Sequence, residues 1–217
     1  MVSIIIPCYN HQEFVCETIE SCLNQTVKPL EIIVVDDGST DKSLEVALKY
    51  PVTVIKQPNM GLSAARNSGI RLARGKYCLP LDADDKIAET FLEKTIGLND
   101  IVSVGQQEFG DSDNYWESKP TGLLKDFLIA NQINCASLFK REIWERTGGY
   151  DEEMLDGYED WDFWTRAIAL GYKISMVNEP LFFYRKHGTS MVDHSIPLHD
   201  TLVEYMHNKY KKLGIIN

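Results

Sequence analysis

The amino-acid sequence predicts an α/β fold in which a mostly parallel central sheet is flanked by helices. Short β-type runs alternate with helical runs over the first hundred residues. The predicted strands are 3–6, 31–35, 52–56 and 76–81. Helical spacing of apolar residues between these runs predicts a β-α-β-α-β-α-β order, which implies parallel strands joined by right-handed crossovers.

The first strand and helix are predicted from one stretch. Branched apolar residues fill positions 3–6, and Pro7 ends the run. Asn10 is predicted to cap the following helix, with Glu13 as its capping-box partner. The apolar residues that then share one helical face are Phe14, Val15, Ile19, Cys22 and Leu23.

The next helices have their own boundary signals. Thr40 or Asp41 is predicted to cap a helix that Pro51 stops. A further helix is predicted over 62–73, with Gly75 at its end.

The second half of the chain is predicted to be less regular. Helices are predicted at 122–131, 141–147 and 158–170, and strands at 135–139, 172–176 and 181–185. Residues 105–120 are polar and contain glycine, which predicts a mobile loop.

The composition is typical of one globular domain. The chain has 217 residues, 44% hydrophobic and 25% charged. A net charge of −10 argues against a nucleic-acid-binding protein, because such proteins present a basic face. A nucleotide ligand is compatible with this charge, since a metal ion can shield phosphates from carboxylates.

Cysteine usage and hydropathy predict a cytoplasmic protein. The five cysteines are odd in number and form no C-x-x-C pair, so we expect reduced thiols. The sequence shows no signal peptide and no apolar stretch near the ~20 residues of a membrane span. The mildly basic run 209–213 is interpreted as a solvated helix end, and a peripheral membrane contact is left open.

Polar residues follow three of the predicted strands. Ligands of parallel sheets bind beyond the carboxyl ends of the strands, so these residues predict a site at that edge. They are Tyr9, the pair Asp36 and Asp37, and the cluster Asp82, Asp84 and Asp85.

The cluster after the fourth strand places three carboxylates within four positions. These carboxylates repel one another and need a compensating charge. Oxygen ligands suit Mg²⁺ or Mn²⁺. An acid-rich turn before the helix that begins near Ala88 is an equally good interpretation of a D-x-D pattern taken alone.

The pair Asp36 and Asp37 precedes Gly38 and Ser39. A carboxylate at a strand end can accept a hydrogen bond from a nucleobase or a ribose hydroxyl. The alternative is a tight turn, with Gly38 at positive φ and Ser39 capping a helix. Two acids are more than such a turn requires.

Glu159 and Asp160 begin an aromatic-rich predicted helix. A carboxylate in a walled pocket suits a general base, and Trp161 is a candidate wall. The alternatives are that the helix dipole favours acids in a first turn and that the aromatic residues form core.

Three basic residues are further candidates. Arg185 and His187 follow the last predicted strand, where they could neutralise a diphosphate and complete a metal shell; a solvated loop is the alternative. Arg66 either reaches a base or phosphate or is an exposed helix charge.

Taken together, these stretches resemble family 2 of the inverting glycosyltransferases, which have the GT-A fold. The resemblance covers nearly the whole chain in the family's order. The matching stretches are VSIIIPCYN (2–10), EIIVVDDGSTD (31–41), GLSAARNSGI (61–70), YCLPLDADD (77–85), GGYDEEM (148–154), GYEDWDFWTRA (157–167) and EPLFFYRKHGTS (179–190).

The resemblance implies a Rossmann-like sheet with a smaller acceptor-side mixed sheet, and a role for each matching residue. It implies that Asp160 is the catalytic base and that Glu159 and Trp161 bind acceptor or donor. The implied metal ligands, for Mn²⁺ or Mg²⁺, are Asp84, His187 and Asp82, with Asp84 the more direct. The implied nucleotide-binding residues are Pro7, Tyr9, Asp36, Asp37, Arg66, Asp82, Ala83 and Arg185.

The expected function is therefore transfer of a sugar, with inversion, from a nucleotide-sugar such as a UDP-sugar to a glycan or lipid-linked glycan acceptor. We expect one catalytic domain over 1–217, with a nucleotide-sugar half at 1–100 and an acceptor half at 101–217. The oligomeric state stays open. A nucleotidyltransferase and a non-catalytic nucleotide-sugar-binding module are the alternatives, whereas a Rossmann dehydrogenase, a P-loop NTPase and a G-x-S-x-G hydrolase lack their motifs here.

Overall fold

The computed structural model describes residues 1–117, 119–188 and 191–217. Within these residues the strands are β1 (Val2–Cys8), β2 (Glu31–Asp36), β3 (Thr53–Lys56), β4 (Tyr77–Pro80), β5 (Lys86–Ile87), β6 (Ile101–Gly110), β7 (Tyr115–Trp116), β8 (Leu138–Lys140) and β9 (Ile174–Lys186). The helices are α1 (Val15–Leu23), α2 (Ser43–Ala47), α3 (Leu62–Leu72), α4 (Phe91–Thr95), α5 (Leu124–Phe127), α6 (Arg141–Thr147), α7 (Glu159–Ala169), α8 (Met191–Ser195) and α9 (His199–Lys212). A 3₁₀ turn, Ile196–Leu198, joins the last two helices.

The first half of the chain forms the predicted parallel sheet. The strand order is β3-β2-β1-β4, and each neighbouring pair is parallel. All seven residues of β1 are buried, as expected for a central strand covered by helices on both faces. The α/β fold with a mostly parallel sheet is therefore confirmed.

The second half continues the same sheet in mixed orientation. Strand β8 runs antiparallel to both β4 and β6, and β6 runs parallel to β9. The two strands predicted at 172–176 and 181–185 are one continuous strand, β9. The register of β6 against β9 shifts on both sides of Gly105, which is where the apolar pattern of β9 is interrupted.

Two predictions for this half were wrong. Residues 105–110 belong to β6 and pair with β9, so they are not a loop; position 118 lies outside the described residues. Only Leu124–Phe127 of the predicted helix at 122–131 is helical. Polar strand residues and short helices carry little periodic signal.

Helix starts also differ from prediction. Asn10 does not cap α1; it has φ 57°, and its Oδ1 accepts the backbone N–H of Thr40 at 2.8 Å. It thereby joins the loop after β1 to the loop after β2. Asp41 does act at the start of α2, where its Oδ1 accepts the Ser43 N–H at 2.9 Å. The chain after the D-x-D forms β5, and α4 begins only at Phe91.

The core lies on both faces of the sheet. On one face, Ile4 and Ile6 pack with residues of α1 and α4. On the other face, Ile5 packs with residues of α3, α6 and α7, including the fully buried Trp164. The two layers hold the carboxyl ends of β1, β2 and β4 at one edge. Among the residues described, no helix has both the length and the apolar character needed to cross a bilayer.

Candidate active site

The carboxyl ends of β1, β2 and β4 open onto a cleft of about 760 Å³. The start of α7, the segment 129–131 and residues of β9 also line this cleft. The predicted site residues that line it are Pro7, Tyr9, Asp37, Arg66, Asp82, Ala83, Asp84, Glu159, Asp160, Trp161, Arg185 and His187. The fold thus brings together residues that lie far apart in the sequence.

Asp36 is the predicted residue that does not line the cleft. Its side chain is 1% exposed, and neither carboxylate oxygen has a hydrogen-bond partner among the described residues. Asp37 is the first residue after β2, and its N–H still donates to the Cys8 carbonyl oxygen at 2.8 Å, so the alternation of side chains continues and separates it from Asp36. Asp37 alone faces the cleft.

Asp37 is held in a fixed orientation at the end of β2. Its Oδ1 accepts hydrogen bonds from Gln57 Nε2 at 2.7 Å and from the Met60 N–H at 2.9 Å. Its Oδ2 accepts the Gly61 N–H at 2.9 Å. Gly38 follows with φ 78°, as predicted, and a Cβ there would lie 2.7 Å from the Asn59 nitrogen. Tyr9, which lines the same cleft, is 43% exposed.

Arg66 lies between two acids from distant parts of the chain. One terminal nitrogen is 2.7 Å from Asp82 Oδ1, and the other is 2.6 Å from Glu159 Oε1. Its side chain is 1% exposed, so the interpretation as an exposed helix charge was wrong. Burial alone would lower the pKa of Arg66, but Asp82 and Glu159 outweigh burial and raise it well above its usual range. Both terminal nitrogens are engaged by these acids.

Asp160 is the second residue of α7 and is half-buried at the cleft. Its Oδ1 accepts the Trp161 N–H at 2.7 Å, and its Oδ2 accepts a hydrogen bond from Asn131 Nδ2 at 3.0 Å. Burial and the charge of Glu159 raise the pKa of Asp160 to about 7, although Arg66 and both hydrogen bonds favour the carboxylate. This is a pKa suited to a general base near neutral pH.

Asn131 is a site residue that sequence reasoning missed. It lies in the irregular segment after α5, and no motif distinguishes it from other polar loop residues. Its contact with Asp160 spans 29 positions, so only the fold reveals it.

The residues before Asp160 have unusual backbone geometry. Tyr158 has φ 64°, a left-handed conformation that is rare for residues other than glycine. Its ring packs 5.2 Å from that of Trp161, and its hydroxyl lies 3.0 Å from His199 Nδ1. Trp161 itself is 4% exposed. Tyr158, Trp161 and His199 form an aromatic wall beside Asp160.

Two of the three predicted metal ligands, Asp84 and His187, lie next to each other. His187 Nε2 lies 3.0 Å from Asp84 Oδ2, and both side chains are partly exposed to the cleft. An oxygen and an imidazole nitrogen at this spacing fit a divalent ion such as Mn²⁺. The third predicted ligand, Asp82, is engaged through both oxygens by Arg66.

Arg185 fixes the loop of the D-x-D. Its Nε donates to the Asp84 carbonyl oxygen at 2.7 Å, and its backbone N–H donates to Asp85 Oδ1 at 2.8 Å. Burial, followed by the charges of Asp84 and Asp82, raises the pKa of Asp85 well above its usual range.

A second group of possible metal ligands lies beside this loop. Ligand atoms of Asp82, Asp85 and Cys135 lie within 4.8 Å of one another.

The fold and this cleft define a GT-A glycosyltransferase. A family model described as glycosyl transferase family 2 matches residues 3–148, and one described as the N-terminal domain of galactosyltransferase matches residues 128–195. The chain belongs to glycosyl transferase family 2. This membership decides against the nucleotidyltransferase and the non-catalytic module.

Known relatives are similar over most of this chain. EpsJ of Bacillus subtilis (strain 168), described as an uncharacterized glycosyltransferase, is 31% identical over 242 residues. The match covers 100% of this chain and 70% of the EpsJ chain. WfaP of Escherichia coli, a UDP-Glc:alpha-D-GlcNAc-diphosphoundecaprenol beta-1,3-glucosyltransferase, is 29% identical over 204 residues. The match covers 88% of this chain and 79% of the WfaP chain.

The fold is also that of a solved glycosyltransferase. Staphylococcus aureus TarS (residues 1–349), in complex with UDP-GlcNAc, matches with a TM-score of 0.74 at 21% identity. The match covers 88% of this chain and 60% of the TarS chain. This chain therefore spans less than two thirds of the TarS chain.

We expect Arg66→Met to lower the free energy of unfolding by about 3–5 kcal/mol, because it leaves two acids without their buried partner. Urea denaturation measures this loss. The matched control is Arg74→Met: Arg74 pairs with Glu31 but is 73% exposed, so its loss should cost less than about 1 kcal/mol. Equal losses in the two variants would contradict a structural role for the Arg66 pairs.

Proposed function

We propose that this glycosyltransferase moves a sugar from a UDP-sugar to an acceptor hydroxyl with inversion at the anomeric carbon, and that Asp160 is the general base. The observation that carries the proposal is a carboxyl group with a pKa near neutrality that lines the same cleft as the Asp84–His187 pair. The UDP-sugars in the names of WfaP and the TarS complex support the choice of donor.

The reaction is a single displacement. The acceptor oxygen forms a bond to the anomeric carbon while its proton passes to an Asp160 carboxylate oxygen. The bond from the anomeric carbon to the leaving phosphate oxygen breaks, and its electron pair stays on the nucleoside diphosphate. Asn131 orients the Asp160 carboxylate through its hydrogen bond, and Arg66 fixes Glu159 beside it.

Asp84 and His187 would hold Mn²⁺ or Mg²⁺ in this proposal. The ion, when bound, would stabilise the charge that develops on the leaving diphosphate. Arg185 lies beside this pair, and its guanidinium is held in place by an ion pair with Glu17 at 3.0 Å. Asp82 belongs to the same loop, and its ion pair with Arg66 holds that loop in place.

The nucleoside would lie along the ends of β1 and β2. Tyr9 offers an exposed ring for stacking on the base, and Asp37 offers an oriented carboxylate for its polar edge. Pro7 and Ala83 form apolar walls of the same part of the cleft. Residues 1–100 would thus supply most donor contacts, and residues 101–217 would supply the base and the acceptor side. Surface polysaccharide or glycan biosynthesis fits the acceptor in the WfaP name.

Asp160→Asn should keep UDP and metal binding but lower turnover about 10²–10⁴-fold, because the amide cannot accept the proton. UDP release with a UDP-sugar and Mn²⁺ measures turnover, and calorimetry measures UDP affinity. Asp200→Asn, which changes an exposed acid outside the cleft, is the control. Transfer at the parental rate in Asp160→Asn would reject the base assignment.

The pH profile should also report on Asp160. Since the base acts as a carboxylate and its pKa is raised to about 7, kcat/KM should fall as pH drops below this value. Asn131→Ala removes a hydrogen bond that favours the carboxylate, so the acidic limb should move to higher pH. Asn178→Ala, an exposed amide outside the cleft, should leave the profile unchanged. An unmoved limb in Asn131→Ala would rule out its positioning role.

Asp84→Ala should abolish the increase in UDP affinity that Mn²⁺ confers, because it removes a proposed metal ligand. Titrating UDP with and without Mn²⁺ tests this directly. Asp113→Ala removes an exposed acid on the β6–β7 turn and serves as the control. Metal-dependent affinity that survives in Asp84→Ala would place the ion elsewhere.

A further inference from the structure

Two aromatic rings contact the guanidinium of Arg185, the arginine beside the Asp84–His187 pair. The Arg185 Cζ lies 4.6 Å from the centre of the Phe14 ring and 4.3 Å from the centre of the Phe109 ring. A cation this close to an aromatic face is attracted to it, and more strongly where water is excluded. The Arg185 side chain is only 12% exposed, so both contacts are largely shielded from solvent.

The Phe14 ring also contacts His187. The two ring centres are 4.6 Å apart, with an angle of 44° between the ring planes. His187 in turn places its Nε2 3.0 Å from Asp84 Oδ2. One phenylalanine therefore touches both the arginine and the imidazole that the proposed function places beside the leaving diphosphate.

Core packing does not account for an aromatic residue at position 14. Its neighbours on the apolar side of α1, Val15, Ile19 and Cys22, are fully buried in the core. Phe14 is half-buried and lies outside that core. Neither Phe14 nor Phe109 is among the described residues that line the cleft, so both rings reach a ligand only through the side chains they contact.

Arg185 is held in a way that leaves one nitrogen for a ligand. Its Nε donates to the Asp84 carbonyl oxygen at 2.7 Å, and its Nη2 donates to Glu17 Oε2 at 3.0 Å. Among the residues that the structure describes, none accepts a hydrogen bond from Nη1. Lys86 Nζ lies 3.2 Å from the same Glu17 oxygen and 4.3 Å from the centre of the Phe109 ring, which supports the arrangement from outside.

We propose that Phe14 is a positioning residue of the donor site, whose ring holds the Arg185 guanidinium and the His187 imidazole in the orientations that engage the leaving diphosphate. This inference rests on the proposed function and adds a residue to which the sequence assigned only a place on an apolar helix face. An arginine loses rotamer freedom when it binds a phosphate, whereas one that is already held loses less. Phe14 thus favours diphosphate binding without touching the ligand.

Phe14→Leu removes the aromatic ring but keeps an apolar side chain. Affinity for UDP should fall about 5–30-fold, because the contacts with Arg185 and His187 are both lost. Affinity for uridine, which carries no phosphate, should stay within about twofold of the parent. Calorimetry measures UDP with Mn²⁺ and with EDTA, and uridine is measured by its competition with UDP. Phe14→Tyr, which keeps the ring, should retain the parental affinity for UDP.

Tyr172→Leu is the matched control. Tyr172 makes the same kind of contact, with Arg146 Cζ 5.4 Å from the centre of its ring, and it lies outside the cleft. Affinity for UDP and for uridine should stay at the parental values in this variant.

A double-mutant cycle measures whether Phe14 acts through Arg185. In EDTA, where no metal contributes, Arg185→Met should weaken UDP binding, and adding Phe14→Leu should then cost less than about twofold more. An equal effect of Phe14→Leu in both backgrounds would overturn the inference. If Phe14→Leu fails to fold, Phe109→Leu replaces it in the same cycle, with a loss of UDP affinity that likewise depends on Arg185.

The outcomes separate this inference from the proposed function. Equal losses of UDP and uridine affinity in Phe14→Leu, or failure of Phe14→Tyr to retain UDP affinity, would reject the positioning role and leave the proposed reaction standing. Phe14-dependent UDP binding without sugar transfer from any UDP-sugar would keep the positioning role and reject the proposed reaction. A parent protein that binds no UDP, with or without Mn²⁺, would reject both.

Discussion

The buried ion pairs of Arg66 with Asp82 and Glu159 connect the two parts of the candidate site. Asp82 ends the parallel half of the sheet, and Glu159 begins the helix that carries the proposed base. Without a cation between them, two acids at the edge of a low-dielectric core would repel each other and take up protons. A single arginine from α3 therefore sets the spacing of the D-x-D loop relative to α7. The cleft geometry depends on this contact.

The sequence predicted the parallel half of the fold well because each of its strands is short, apolar and bounded by turn residues. The same reasoning failed for strand β6. Its second half is polar, and it pairs with β9, which lies far away in the sequence. Asn10 failed as a helix cap for a related reason. Its side chain is used by the loop after β2, thirty positions away, and no local pattern records that contact.

The candidate site could be predicted as a set of residues but not as an arrangement. Motifs pointed to Arg66, Asp82 and Glu159 one by one, yet nothing in the sequence showed that they bind one another. Likewise the sequence does not distinguish Asp36 from Asp37, and only the structure shows that Asp37 faces the cleft. Asn131 gave no signal because its partner, Asp160, is brought to it by tertiary packing.

Strand β8 pairs with β4 through Cys78 and Phe139 and with β6 through Leu138, so one continuous sheet passes beneath both ends of the cleft. Within the described residues, the two halves of the chain share this sheet and are not two lobes joined only by a linker. The separation between the proposed base, Asp160, and the Asp84–His187 pair is therefore set largely by elements that pack on this one sheet. A change of acceptor would then be accommodated by segments outside the sheet, such as α8, whose residues line the cleft without pairing with any strand.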